Sequence, residues 1–144
     1  MAFTNAELEY LAGQPLGRVA TAQQNGTLQV SPVGYRYNSH TETIDIAGHG
    51  MARSRKFRNI ADNGRVAFVV DDLASVQPWR PRFLEIRGHA HAIAEPADSA
   101  YGADTPTGFD GAIIRIYPQR IISFGLNNPD HDDQSLAVEA RDFG

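Results

Sequence analysis

The chain has 144 residues, a formal net charge of −4 and no cysteine. This length suits one domain with a hydrophobic core, and the lack of cysteine excludes disulfides and thiolate metal sites. The negative net charge argues against a nucleic-acid partner, and no apolar segment resembles a signal peptide or a membrane span. We therefore expect a cytoplasmic protein with neither a nucleic acid nor a membrane among its partners.

The first predicted element is a short helix. Thr4 and Glu7 have the spacing of a capping box, which starts a helix at Thr4. Gly13 suits the left-handed position that follows a helix, and Pro15 prevents continuation. We expect this helix to close one end of a barrel.

A β-hairpin is predicted next. Residues 16–21 are compatible with a strand, and Asn25-Gly26 predicts a type I′ turn, which requires positive φ at both residues. The return strand covers residues 27–37. Pro32 cannot donate to a sheet ladder and Gly34 weakens one, so this strand should contain a bulge or lie at a sheet edge.

Residues 43–63 predict a strand, a glycine loop and a helix. Four cations crowd the start of that helix, where the helix dipole favours anions, namely Arg53, Arg55, Lys56 and Arg58. Together with the free N–H groups and the hydroxyl of Ser54, they form a candidate site for a phosphate-bearing ligand. The alternative, held at equal weight, is a solvated basic face with i,i+4 pairs such as Arg58 with Asp62.

A buried strand, a loop and a long strand are expected after this helix. Residues 66–70 form an apolar run that predicts a strand buried on both faces, and residues 73–82 predict a long loop. Trp79 on this loop is either a packing anchor, the interpretation we favour, or a contact for a charged aromatic ligand.

Residues 83–93 alternate apolar and polar side chains, which predicts a long strand with one polar face. His89 and His91 share that face. A histidine pair of this kind can bind a metal, but the sequence offers no third ligand, so we expect solvent-facing histidines and no metal site.

The last third of the chain begins with a surface connection over residues 95–110. Two further strands, 112–117 and 121–125, are expected on either side of a turn at 118–120. The chain then becomes acidic and polar. We therefore divide it into a folded domain, residues 1–125, and an acidic, polar C-terminal tail, residues 126–144.

The pattern of short strands and regular turns, with no alternation of strands and helices, favours a small antiparallel barrel. The sequence contains neither a GxGxxG motif nor a Walker loop, which excludes the Rossmann and P-loop classes.

The order of these features resembles the split β-barrel flavoproteins of the pyridoxamine 5′-phosphate oxidase type, over most of residues 14–125. That family has a strand, a Ser-Arg-Lys phosphate-binding turn, an asparagine at the helix end and then an apolar strand. The matching stretches here are 43–47, Ser54-Arg55-Lys56, Asn63 and 65–68. Four other stretches more closely resemble the branch that uses the deazaflavin coenzyme F420: Gly48-His49-Gly50, 69–73, Pro78-Trp79-Arg80-Pro81 and Ser123-Phe124-Gly125.

This resemblance implies a mainly β fold, a six- to seven-stranded antiparallel split β-barrel of the FMN-binding type with two or three short helices. It also implies a homodimer with the cofactor between two barrels. The phosphate would lie near Arg53, Ser54, Arg55 and Lys56. The tricyclic ring would lie beside Val30, Ser31, Pro32, Val33, Ile46, Ala47 and Gly48, and Trp79 and Arg80 would reach the cleft from the partner chain.

The implied activity is hydride transfer between F420 and a small organic substrate. FMN is the alternative cofactor, and non-catalytic binding of F420 or FMN is a third hypothesis. The polyglutamate tail of F420 would give the surplus arginines, Arg80 and Arg82 among them, further partners. Hydride transfer needs no side-chain nucleophile, and the proton donor stays open among Tyr35, His49 and water. The oxidase family's pyridoxamine-binding segment has no counterpart after Gly125, so oxidation of pyridoxamine 5′-phosphate is not expected.

Overall fold

The computed structural model describes residues 2–126 and 138–143. Its helices are α1 (Asn5–Gly13) and α2 (Arg55–Asn63), and two 3-10 turns occupy Met51–Arg53 and Gly102–Asp104. The strands are β1 (Gly17–Ala22), β2 (Leu28–Val33), β3 (Arg36–Asn38), β4 (Thr43–His49), β5 (Arg65–Ser75), β6 (Arg80–Ile93), β7 (Phe109–Phe124) and β8 (Glu139–Asp142).

The strands form one antiparallel sheet in the order β2-β1-β5-β6-β7-β4-β3, and β8 pairs with β7 beside this path. The predicted mainly β antiparallel fold with short helices is therefore confirmed. Because β2 and β3 remain at the two edges, the sheet is not closed by hydrogen bonds.

The main core covers one face of the sheet and is rich in β-branched residues, which pack well on a pleated surface. Its fully buried members include Val19, Ile44, Ile46, Phe68, Val70, Leu84, Ile86, Ile114, Ile116 and Ile121. A second, smaller core lies on the other face of β4 and β7, where Tyr101 of the connection between β6 and β7 packs with Ala47 and Ile113. This connection therefore packs against the end of β4 that leads into α2.

The predicted start of α1 and the predicted end of α2 are confirmed, whereas the predicted left-handed conformation of Gly13 is wrong, because Gly13 is the last residue of α1, does not have positive φ, and is followed by the extended Gln14. In α1 the Thr4 hydroxyl accepts from the N–H of Glu7 at 3.2 Å, and the Glu7 carboxylate accepts from the N–H of Thr4 at 2.9 Å. Helix α2 ends at Gly64, whose φ of 68° lies in the left-handed region. Local chemistry alone fixes these ends.

The hairpin between β1 and β2 is real, but the predicted type I′ turn is wrong. Asn25 does not have positive φ, and Gly26, with φ of 91°, is the left-handed residue of this turn. The N–H of Gly26 bonds to the carbonyl of Gln23 at 2.9 Å, and the N–H of Gln23 bonds to Thr27 at 2.8 Å. This is a three-residue loop with the glycine at its end.

The predicted return strand 27–37 is two strands rather than one. It divides at Gly34 and Tyr35 into β2 and β3, which lie at opposite edges of the sheet. The expectation that Pro32 marks a sheet edge is confirmed, because β2 pairs only with β1 among the described strands.

Two predicted breaks in the sheet do not occur. Residues 73–82 form a hairpin in which β5 runs to Ser75 and β6 begins at Arg80, rather than a long loop. Residues 118–120 are not a turn, because β7 continues through them with Gln119 as the extra residue of a bulge.

The apolar run 66–70 is buried on one face only. Val66, Phe68 and Val70 are buried, whereas Ala67 and Val69 are half-buried on the outer face of the sheet. The expectation of burial on both faces is therefore wrong for the single chain.

The segment predicted as a polar tail is described at its end only. There β8 pairs with β7, and Arg141 donates to Glu7 Oε2 at 2.7 Å and to the carbonyl of Ala2 at 2.6 Å. Residues 138–143 therefore connect the sheet to the start of α1. Residues 127–137 lie outside the described residues.

Candidate functional site

The basic stretch occupies the start of α2 and the turn before it. Arg53 ends the 3-10 turn, Ser54 is the N-cap, and Arg55 and Lys56 are the first two helical residues. The Ser54 hydroxyl accepts from the N–H of Phe57 at 3.2 Å and donates to the carbonyl of Met51 at 2.7 Å. Ser54 therefore caps the helix, and its hydroxyl proton is already used. The first two helical N–H groups have no partner within an α-helix.

The cations of this stretch have no acidic partners in the described part of the chain. The Arg58–Asp62 pair of the alternative hypothesis does not form, because Arg58 Nη2 donates to the backbone carbonyl of Arg53 at 3.3 Å. No ion pair of Arg53, Arg55, Lys56 or Arg58 occurs among residues 2–126 and 138–143. No acidic side chain of the described residues therefore compensates their positive charge, which suits an anionic ligand.

Two asparagines fix α2 against the first hairpin. Asn59 Nδ2 donates to Thr21 Oγ1 at 3.0 Å and to Gln29 Oε1 at 3.3 Å. One turn later, Asn63 Nδ2 donates to the carbonyl of Ala22 at 2.7 Å. The helix therefore runs along β1 and faces the edge strand β2.

The two halves of the predicted cofactor site lie on neighbouring elements. Arg55 and Lys56 lie one turn before Asn59 of α2 and share its helix face. Asn59 contacts Gln29, the residue before the predicted ring-binding stretch 30–33 on β2. Strands β2 and β4 approach each other without pairing.

The seven predicted ring-binding residues differ in accessibility. On β2, Val30 is 69% exposed, Pro32 is exposed, Ser31 is half-buried and Val33 is buried. On β4 the side chains of Ile46 and Ala47 are buried in the two cores, and Gly48 is half-buried. Within one chain, β4 therefore presents backbone rather than side chains to a ligand.

Trp79 and Arg80 lie at the tip of the β5–β6 hairpin. Trp79 is 62% exposed, so it does not anchor the packing of its own chain. Strand β5 begins at Arg65, just after α2, and its 11 residues carry the chain about 33 Å to Ser75 at about 3.3 Å per residue.

The base of this hairpin is held by an ion pair that sequence reasoning missed. Arg82 binds Asp72 through Nε at 2.9 Å and Nη2 at 2.5 Å, and Tyr10 donates to the same carboxylate at 2.8 Å. Arg82 therefore holds the pKa of Asp72 below its usual range. The expectation that Arg82 serves a ligand tail is wrong for this chain, because its guanidinium is already bound.

The two protein candidates for the proton donor have different surroundings. The Tyr35 hydroxyl lies 2.6 Å from the carbonyl of Leu11 and 3.0 Å from that of Gln14, and burial raises its pKa to about 12. His49 is exposed at the end of β4, next to Gly48 and close in sequence to the basic stretch. Its ring Nδ1 lies 3.1 Å from the carbonyl oxygen of Gly108.

The paired histidines of β6 lie on one face, as predicted. His89 and His91 are both exposed, and His89 stacks on Tyr117 with a centroid distance of 5.1 Å. Among the described residues there is no group of three or more His, Cys, Asp or Glu side chains able to hold a metal ion.

A buried ion network beside the site was also missed. Arg115 of β7 binds the fully buried Asp45 of β4 and also reaches Asp98 in the connection between β6 and β7. Asn38 and the N–H of Ala100 bind the same Asp45 carboxylate at 3.0 and 2.8 Å. The sequence signal for this pair was a single charged residue between isoleucines in each strand, Asp45 in β4 and Arg115 in β7. This network holds the connection against β4.

No helix in the described part of the chain is long and apolar enough to cross a membrane.

Comparison with known proteins matches residues 3–124 to the family model described as pyridoxamine 5′-phosphate oxidase. The chain is 39% identical over 143 residues to a 5a,11a-dehydrotetracycline/5a,11a-dehydrooxytetracycline reductase from Streptomyces rimosus, covering 99% of this chain and 94% of the relative.

Two solved structures share the fold at low identity. A conserved hypothetical protein from Mycobacterium tuberculosis has a TM-score of 0.68 at 17% identity, covering 95% of this chain and 94% of that one. A pyridoxamine 5′-phosphate oxidase-related, FMN-binding protein from Nostoc punctiforme has a TM-score of 0.55 at 13% identity, with coverage of 90% and 87%.

Proposed function

Because the chain belongs to the pyridoxamine 5′-phosphate oxidase family, we propose that it is an oxidoreductase that transfers a hydride between the deazaflavin coenzyme F420 and a small unsaturated carbonyl compound. The observation that carries the choice of cofactor is the uncompensated charge at the start of α2. Four cations within six residues, none with an acidic partner among the described residues, exceed what one phosphate group requires. A cofactor with additional carboxylates gives each of them a partner.

Two groups of residues fit such a cofactor. The N–H groups of Arg55 and Lys56 and their side chains would hold the phosphate, as helix N-termini do. Ser31 of β2 and the backbone of Gly48 on β4 would lie against the flat ring. When bound, the cofactor supplies the hydride, and the protein orients the ring and the substrate and excludes water.

The substrate class follows from the Streptomyces reductase, whose name describes reduction of a 5a,11a-dehydro compound. At 39% identity over almost the whole of both chains, a shared reaction type is the simplest proposal. We therefore propose that this chain reduces a carbon–carbon double bond conjugated to a carbonyl group. The FMN-binding relative in Nostoc keeps FMN as the second candidate cofactor.

We also propose that the active form is a homodimer. The outer face of the sheet carries exposed apolar side chains on β2, where Leu28 is 79% exposed, and the half-buried Phe83 and Phe124 stack on each other there. A second copy packed on this face would cover them. It would also bring the exposed Trp79 hairpin to the cations of its partner.

Two measurements test the proposal. The purified protein is titrated with F420 and with FMN, and the bound form is assayed for reduction of 5a,11a-dehydrotetracycline. We expect saturable F420 binding and turnover; binding without turnover would leave the non-catalytic hypothesis, and preferential FMN binding would favour the second cofactor.

Light scattering should give twice the chain mass of 15.8 kDa. Val30→Glu should lower that mass, while Gln24→Glu, which adds the same charge in the hairpin turn, should not.

A further inference from the structure

We propose that His49 is the proton donor of the reduction, and that the connection between β6 and β7 fixes its ring so that Nε2 faces the substrate. This inference rests on the proposed function. It is carried by a feature of the ring itself: Nδ1 lies 3.1 Å from the carbonyl oxygen of Gly108, and the ring is held edge-on to Phe109 with centroids 4.8 Å apart.

The contact with Gly108 determines which ring nitrogen carries the proton. A carbonyl oxygen only accepts hydrogen bonds, so the 3.1 Å contact requires a proton on Nδ1 of His49. In the neutral ring Nε2 then holds the lone pair, and in the charged ring Nε2–H is the remaining donor. The residue is exposed, so Nε2 is available to a substrate.

In the connection between β6 and β7, the glycine at position 108 leaves room for the ring of His49. Gly108 has φ of 92°, and a Cβ at this position would lie 2.7 Å from Cε1 and 2.9 Å from Nδ1 of His49. Any other residue would therefore displace the ring. Gly108 and Phe109 are positioning residues, and Phe109 in turn packs against the small core of Ala47, Tyr101 and Ile113.

His49 also has the better location of the two protein candidates. Tyr35 directs its hydroxyl at the carbonyls that end α1, and burial raises its pKa to about 12, so it gives up a proton reluctantly. His49 stands between the predicted ring stretch at Gly48 and the basic stretch that begins at Arg53.

The proposed step balances as follows. The reduced deazaflavin, when bound, would supply the hydride: one of its C–H bonds would break, a C–H bond would form at the β-carbon of the conjugated carbonyl compound, and two electrons would pass to the substrate. The π electrons of the double bond move towards the carbonyl oxygen. The Nε2–H bond of His49 breaks, and its proton forms the C–H bond at the α-carbon. The neutral ring, still bonded to Gly108 through Nδ1–H, regains a proton from solvent.

The first test needs neither cofactor nor substrate. The ring nitrogen shifts of selectively ¹⁵N-histidine-labelled protein report the tautomer of each histidine at a pH where the rings are neutral. We expect His49 as the Nδ1–H tautomer, and its assignment follows from the signal lost in His49→Gln. An Nε2–H tautomer, or fast averaging of both, would overturn the proposal. Gly108→Ala should abolish the fixed tautomer, whereas Gly111→Ala should retain it, because Gly111 has a similar φ of 85° but no atom within 4 Å of its Cβ position.

The second test measures single-turnover reduction of 5a,11a-dehydrotetracycline by the protein loaded with reduced F420. We expect His49→Gln to lower the single-turnover rate constant by about a hundredfold or more, as loss of a general acid does, with unchanged F420 affinity. Free imidazole should restore part of the rate in His49→Ala, and His91→Gln, an exposed histidine on β6, should leave the rate unchanged. Full activity of His49→Gln would contradict the role of His49 alone. Absence of turnover in the unmodified protein would contradict the proposed function itself, and the proton-donor role with it.

Discussion

Arg115 of β7 donates two hydrogen bonds to the carboxylate of Asp45 on β4, from Nε to Oδ1 at 2.9 Å and from Nη2 to Oδ2 at 3.2 Å. The Asp45 side chain is completely buried. A buried carboxylate without its partner is strongly destabilising, because the desolvation of the charge is no longer offset. The pair also orders the segment that carries Gly108, since Arg115 Nη1 reaches Asp98 at 2.9 Å.

We therefore predict that Arg115→Met lowers the free energy of unfolding by about 3 to 5 kcal/mol, measured by urea denaturation. The control is Arg120→Met, which removes an arginine of the same strand whose partner Asp142 is largely exposed. Exposed pairs contribute about 0.2 to 1 kcal/mol, so the control should stay within that range. Equal losses in the two variants would show that the Asp45 carboxylate does not depend on Arg115.

Tyr35 should make the protein sensitive to alkaline pH. Burial raises its pKa from 10.0 to about 12, so the folded state holds the phenol proton more tightly than the unfolded state. The corresponding stability is fully present below pH 10 and is lost as the pH rises towards 12. At pH 11 the loss is about 1.4 kcal/mol for a group whose pKa differs by about 2 between the two states.

Tyr35→Phe provides the measurement. At pH 8 the variant should be less stable by about 1 kcal/mol, because the hydroxyl loses its bond to the backbone at the end of α1. Between pH 8 and pH 11 the unmodified protein should lose stability relative to the variant, so that the difference disappears. A constant difference over this range would mean that Tyr35 titrates normally.

Local chemistry made parts of the fold predictable. The capping box of α1, the glycine that ends α2 and the edge position of Pro32 each depend on residues close in sequence, and each is confirmed. The order of strand, basic turn and helix also followed from the sequence, because the apolar periodicity changes there.

The strand ends predicted at prolines are wrong. A strand tolerates a proline where no neighbouring strand needs its N–H, and the neighbouring strands are distant in sequence. Pro118 lies on β7 between the stretch that pairs with β4, up to Ile116, and the stretch that pairs with β8, from Arg120. Its missing N–H therefore costs no ladder bond on that side. Pro81 similarly lies beyond the end of β7, whose last partner on β6 is Phe83.

The residue types of the candidate site are visible in the sequence, but the contacts among them are not. The cations of α2 are visible in the sequence, whereas the contact of His49 with Gly108 joins residues 59 positions apart. The ion pair between Arg82 and Asp72 likewise depends on the register of the β5–β6 hairpin, which places the two residues directly opposite each other. Only the folded sheet supplies these pairings.

Lys56→Ala should weaken cofactor binding about ten- to a hundredfold, because charge-assisted hydrogen bonds contribute about 1.5 to 3 kcal/mol. The fold should be unaffected, since Lys56 makes no ion pair among the described residues. The control is Arg65→Ala, an exposed cation just after the other end of α2. Fluorescence titration that gives the same affinity for Lys56→Ala as for the unmodified protein would make Lys56 an ordinary surface lysine.

The final prediction concerns cofactor preference. It distinguishes Arg53 and Arg58 from Arg55 and Lys56, the pair proposed to bind the phosphate. We expect F420 to bind one to two orders of magnitude more tightly than FMN, because several exposed pairs of about 0.2 to 1 kcal/mol each add up along the F420 tail. The difference should shrink as salt is raised, since exposed charges are screened over about 8 Å at physiological ionic strength. Arg53→Ala and Arg58→Ala should lower F420 affinity more than FMN affinity, whereas Lys56→Ala should lower both. Equal or tighter binding of FMN at low salt would contradict the preference and favour FMN as the cofactor of this chain.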